Sequence, residues 1–184
     1  MDITYSNIRS SRFEISLRHL KNKDVQSIYD NVKDKAISTY TVSIPYPYHL
    51  SDAREFISYS IRTRRLKTAY IFGIELIKNK KIIGIVSLSK IDKKNKNCEL
   101  GYWLGKKYWR KQIASTAVKM ILNFAFKKLK MHRVYAQVFA DNTASLRVLE
   151  KNGFLLEGVS FDVIWRKNKW HNLFLYALVE NDFK

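Results

Sequence analysis

Apolar residues recur at two periods along the chain, and each change of period marks an element boundary. Phe13, Ile15 and Leu17 alternate with polar residues, the spacing of a half-buried strand. Residues 24–32 predict a short helix. The loop IPYPYHL separates it from a second helix. There Ala53, Phe56, Ile57, Ser60 and Ile61 form a stripe behind a capping box of Asp52 and Glu55. A meander follows: 69–77 and 81–91 are joined by Lys78-Asn79-Lys80, and 97–104 comes after the polar turn DKKNKN. From Ile113 the period returns to that of a helix. Ile113, Ala117, Met120, Ile121 and Phe124 share one face, with Lys119, Lys127 and Lys128 off it. Val134, Ala136 and Val138 alternate in the next strand. Residues 143–152 predict a helix opened by Asp141 or Asn142 and stopped by Gly153. Two last strands, 155–164 and 170–179, flank the turn RKNK.

Antiparallel strands followed by strand–helix–strand–helix–strand predict an α/β fold. Its sheet is mixed, mostly antiparallel and seven-stranded, flanked by about four helices, with a ligand crevice where the strand pattern changes. No repeat or linker interrupts the chain, so residues 1–184 are expected to form a single domain with a real core.

Composition narrows the function. Hydrophobic residues at 46% and aromatics at 14% exclude a disordered chain. The single cysteine, Cys98, allows no internal disulfide, and no Cys/His cluster has metal-ligand spacing, so no metal is expected. The first residues lack a signal-peptide core, and no apolar run approaches the ~20 residues that span a bilayer. A soluble, cytoplasmic protein without membrane partners is the expectation. Lys and Arg number 34 against 16 Asp and Glu, a formal charge of +18. Such a field draws anions: nucleotide cofactors, RNA, acidic proteins. A lysine-rich coding bias on solvated faces explains it equally well, and no nucleic-acid motif is present.

Chemistry concentrates between Cys98 and Phe154. The strand CELGYWLG carries Glu99 at its head, where a carboxylate is costly unless paired or functional. Glu99, Gly101 and Trp103 share one face; Cys98, Leu100 and Tyr102 share the other. The segment YWRKQIAS then opens the long helix with a basic turn, and free amides together with the helix dipole favour a phosphate there. The next strand leads into DNTASLRVLEKNGF.

These three segments, in this order, resemble the GNAT superfamily of N-acetyltransferases, and within it the ribosomal-protein N-acetyltransferase (Rim-type) branch. The resemblance implies acetyl-CoA as cofactor. It makes Trp109, Arg110, Lys111, Gln112, Ile113, Ala114 and Ser115 the pyrophosphate loop, with Gln112 where the family commonly has glycine. It implies that the backbone of Trp103 and Leu104 pairs with pantetheine like an added strand. Asn142 maps to the asparagine that bonds the pantetheine arm, and Ser145 to a serine near the thioester sulfur. Many GNAT enzymes place a tyrosine acid one turn later; here that position is Leu149, which leaves Ser145 to assist the departing thiolate. Glu99 becomes the general base. Tyr46 and Tyr48 become pocket walls, and His171 could face the acceptor. The implied acceptor is a primary amine, most readily a protein N-terminus, with ribosome or RNA association as a possible extension of the basic surface. A polyamine or antibiotic acceptor, a non-catalytic acyl-CoA-binding protein and an RNA-associated protein stay open, as do monomer and homodimer.

Overall fold

The computed structural model describes residues 5–10, by their backbone, and 13–183. One eight-stranded sheet runs through it in the order β1-β2-β3-β4-β5-β6-β8-β7. The strands are β1 (Tyr5–Ser10), β2 (Phe13–His19), β3 (Tyr70–Leu76), β4 (Lys81–Asp92), β5 (Asn97–Leu104), β6 (Arg133–Phe139), β7 (Leu155–Arg166) and β8 (Lys169–Val179). The seven expected strands are present, and β1 adds an eighth at the edge. All neighbours are antiparallel except β5 and β6. The helices are α1 (Val25–Val32), the short α2 (Lys35–Thr39), α3 (Leu50–Leu66), α4 (Ile113–Asn123) and α5 (Thr143–Lys151).

Both faces of the sheet are covered, which is why β3 and β4 read as nearly continuous apolar runs. Phe72, Ile74, Val86 and Leu88 pack with Ile113, Ala117, Ile121 and Leu149 beneath α4 and α5. Ile71, Ile82 and Ile85 pack with Ile28, Ala53 and Ile57 beneath α1 and α3. Successive strand residues thus feed two separate cores.

Three local details differ from the sequence pattern. Asp24 is not the start of a regular helix: its buried carboxylate takes the Arg18 guanidinium at 2.8 Å and the Lys21 amide, and α1 begins one residue later. Arg18 also pairs with the buried Glu75, so one cation joins β2, β3 and the approach to α1. In α3 the cap is not an Asp52–Glu55 box. His49 is the N-cap, and its amide donates to Asp52 Oδ2 at 2.7 Å, because the helix starts three residues earlier than the pattern suggests. Finally, α4 widens into a π turn over Phe124–Lys128, with Leu129 N–H on Phe124 O, and three successive residues, Phe124, Ala125 and Phe126, are buried there. Among the described residues, no helix is long and apolar enough to cross a membrane.

Candidate functional site

The only parallel pair among the described strands forks almost at once. β5 and β6 are matched at Asn97↔Arg133, Cys98↔Val134 and Glu99↔Tyr135, and then separate while both strands continue. From Leu100 onward β5 therefore has one edge on β4 and the other on a gap. Period-two alternation says which main-chain groups face that gap. Gly105 N–H donates to Ile83 O, and the Trp103 carbonyl lies against Gly84, where a Cβ would sit 2.5 Å from it. Odd positions thus turn toward β4, and Leu100, Tyr102 and Leu104 turn toward the gap. Of the expected Trp103–Leu104 edge, Leu104 faces the gap together with Tyr102 while Trp103 faces β4, and the Leu104 carbonyl already accepts from Trp109 Nε1. Unpaired strand groups of this kind are a template for an amide-bearing chain.

The fork opens into a cavity of about 1120 Å³, lined by Glu99, Gly101, Tyr102, Trp103, Asn142 and Ser145 and, on the α3 side, by Tyr48, Asp52, Glu55 and Tyr59. Alternation divides its chemistry between the two faces of the sheet. Tyr102 packs against the α4–α5 core, whereas Trp103, on the face of Glu99, packs against the α1–α3 core. Glu99 and Ser145 therefore approach the gap from opposite sides.

Glu99 is held by a lysine. The bulge between Ser89 and Asp92 puts Lys90 in the left-handed region (φ 49°) and lays its ammonium 2.8 Å from Glu99 Oε2. That bond raises the Lys90 pKa above its ordinary value. Tyr135, opposite Glu99, is pushed up as well, by burial first and then by the carboxylate.

On the other side, Asn142 caps α5: its Oδ1 accepts from Ser145 N–H at 3.2 Å. The Asn142 side-chain NH₂ has no protein partner among the described residues. The Tyr102 hydroxyl stands 2.6 Å from Ser145 Oγ and 3.1 Å from Ser145 O. Burial raises the Tyr102 phenol well above its ordinary value, and the bond to Ser145 only partly offsets this. Sequence reading missed this tyrosine. Its sole signal was its place on the strand face opposite Glu99.

Beyond β5 the chain turns over the N-terminus of α4. Trp109 Nε1 donates to Leu104 O at 2.6 Å, which folds the basic loop back on the strand. Arg110 and Gln112 both adopt left-handed backbone (φ 58° and 59°), so Gln112 takes the conformation a glycine would favour. The first α4 ladder bond is Thr116 N–H to Gln112 O, leaving the Ile113, Ala114 and Ser115 amides ahead of the ladder. Lys151 Nζ on Gln112 Oε1 and Asn152 Nδ2 on Ser115 Oγ, each at 3.1 Å, tie this end to α5. Lys111 is anchored on Lys107 O at 2.7 Å, and its ammonium lies over Phe13 and Tyr108. Amides, dipole and cations together fit a diphosphate. The unpaired strand edge and the Asn142 amide fit a pantetheine chain, so the donor set suits an acyl-coenzyme A.

Two expected pocket residues lie apart. Tyr46 is outside the lining, its half-exposed ring under the Lys35 ammonium. His171 packs edge-on against Phe139, a cavity wall, with Nε2 3.3 Å from Arg166 O.

Known proteins resemble this chain in sequence and fold. A family model described as an acetyltransferase (GNAT) domain matches residues 14–155. The putative ribosomal N-acetyltransferase YdaF of Bacillus subtilis (strain 168) is 28% identical over 174 residues, covering 92% of this chain and 93% of that protein. The ribosomal-protein-S5-alanine acetyltransferase from Vibrio fischeri superposes with a TM-score of 0.86 at 21% identity over all of both chains. The microcin C7 self-immunity acetyltransferase MccE, solved with acetyl-CoA and AMP, superposes at 0.82 with 25% identity, covering 95% of this chain and 96% of that one. A forked parallel pair, an amide-lined helix mouth beside it and a family model spanning most of its length make this chain a member of the GNAT acetyltransferases.

Proposed function

We propose that the chain transfers the acetyl group of acetyl-CoA to a primary amine, and that the preferred acceptor is the α-amine of a protein N-terminus. One observation carries this reading: a primary ammonium, that of Lys90, already rests 2.8 Å from Glu99 at the fork. The same carboxylate can hold an acceptor amine.

Acetyl-CoA supplies an activated acetyl thioester. In this reading the Ile113, Ala114 and Ser115 amides, with Arg110 and Lys111, hold its diphosphate, and the Tyr102–Leu104 edge and Asn142 hold its pantetheine. Glu99, through water, takes the proton of the incoming amine. The C–N bond forms as the C–S bond breaks. Ser145 donates a hydrogen bond to the departing thiolate, which takes its proton from solvent on release. A serine hydroxyl is a far weaker acid than a thiol, so it keeps its own proton.

The base requirement favours an α-amine. At pH 7, deprotonating an amine of pKa ~7.8 costs about 1.1 kcal/mol, whereas a lysine at ~10.4 costs about 4.6 kcal/mol. A lone carboxylate suits the smaller demand. The likeness to YdaF, named a putative ribosomal N-acetyltransferase, supports a ribosomal acceptor. A second reading, a polyamine acceptor, draws on Asp52 and Glu55 in the cavity wall, although Arg62 and Lys90 line the same cavity. Steady-state kinetics with N-terminal peptides against spermidine decides between them. The best kcat/KM is expected on a peptide, and the best value on spermidine would overturn the assignment.

A further inference from the structure

We propose that Tyr102 is a positioning residue for the leaving-group side of the reaction: its hydroxyl donates to Ser145 Oγ, so that the serine's own hydrogen points into the cavity. This inference rests on the reading of Ser145 as the group that assists the thiolate.

The geometry is a question of counting hydrogens. Each hydroxyl has one to give. The Tyr102 oxygen is 2.6 Å from Ser145 Oγ and 3.1 Å from Ser145 O. The nearer contact has the ordinary length of an O–H···O bond, whereas the farther is long for one. Ser145 lies in the first turn of α5, and its carbonyl belongs to the helix ladder four residues on. Assigning the Tyr102 hydrogen to this nearer contact leaves the Ser145 hydrogen for the cavity that both residues line. An Oγ that accepts one bond is also a better donor in the next, by mutual polarisation.

Without this partner the serine has an alternative. Side chains of its type turn back to a carbonyl three or four residues earlier, here that of the cap Asn142. A hydrogen spent there is lost to the sulfur. The Tyr102 oxygen thus fixes a rotor that the Asn142 cap, which engages only the Ser145 amide, does not control. The arrangement also answers the missing tyrosine on α5. Leu149 is fully buried in the core at that position, and the phenol comes instead from β5.

The test is a double-variant cycle. Tyr102→Phe keeps the ring and deletes the oxygen. It is expected to lower kcat about tenfold, the worth of one hydrogen bond in the transition state, while the dissociation constant of acetyl-CoA stays within about twofold. Ser145→Ala is expected to lose at least as much. The doubly substituted enzyme is expected to be no slower than Ser145→Ala alone, because both changes remove one device. Unchanged kcat in Tyr102→Phe beside an impaired Ser145→Ala would overturn the role of Tyr102. Losses that multiply in the double variant would also overturn it, because they would mark two independent effects. Wild-type turnover in Ser145→Ala would instead remove the serine's role, and the inference with it, without touching the acetyltransferase assignment.

Discussion

Glu99 sits at the last matched pair before β5 and β6 part, so its side chain is at once strand-bound and open to the cavity. Its partner Lys90 is 64% exposed against 18% for Glu99. The lysine can swing into solvent cheaply when an acceptor amine competes for the carboxylate. Glu99→Gln keeps the shape and removes the carboxylate proposed as the base. It is expected to lower kcat by about 10²–10³-fold with little change in acetyl-CoA affinity, and stopped-time assays beside calorimetry would show the split. Equal turnover across pH 6 to 9 would remove Glu99 from the reaction. The carboxylate was legible in the sequence because a charge at the head of an apolar strand needs a reason. The Tyr102–Ser145 contact was not, because it spans 43 positions and exists only once the β5–α4–β6 crossover brings α5 under β5.

Among the elements, the loop before α4 carries Gln112 where the resemblance expects a glycine. A left-handed Gln112 carries a steric cost that glycine avoids. The turn is nonetheless formed, with the Gln112 side chain bonded to Lys151. Gln112→Gly should therefore leave the acetyl-CoA dissociation constant within about twofold by calorimetry. Tightening of tenfold or more would mean that the glutamine distorts the loop. Continuous apolar runs made β3 and β4 readable, and a buried stripe did the same for α4. Caps were read less well. Asp24 and Asp52 each look like a helix opener, but Arg18 claims the first and the His49 amide the second. Such choices depend on partners remote in the chain or on where the preceding loop ends. The edge strand β1, YSNIRS, carries no alternation to announce it and is held through its pairing with β2.

At the scale of the molecule, several neutral acids lie under the sheet faces. Burial lifts the Cys98 thiol from 9.0 to about 12 and the Tyr48 phenol from 10.0 to about 12. Tyr70 and Tyr102 are raised by the same cause. In the unfolded chain these groups ionise near their ordinary values while the folded protein still holds their protons. Their contribution is thus constant below about pH 9 and turns against folding between about pH 9 and 12, by up to ~1.4 kcal/mol per group and pH unit. Urea midpoints are expected to fall steadily over that window. A flat midpoint to pH 11 would show that solvent reaches these groups.

The central claim is that the fork between β5 and β6, with the mouth of α4, receives an acyl-coenzyme A. Hydrogen–deuterium exchange with and without acetyl-CoA tests it most directly, because the amides concerned are backbone groups that the fold leaves unpaired. Slowed exchange is expected in peptides covering 100–104 and 110–116, where Tyr102, Leu104 and Ile113 to Ser115 lie. Saturating acetyl-CoA that slows neither segment, or slows only amides elsewhere, would contradict the account.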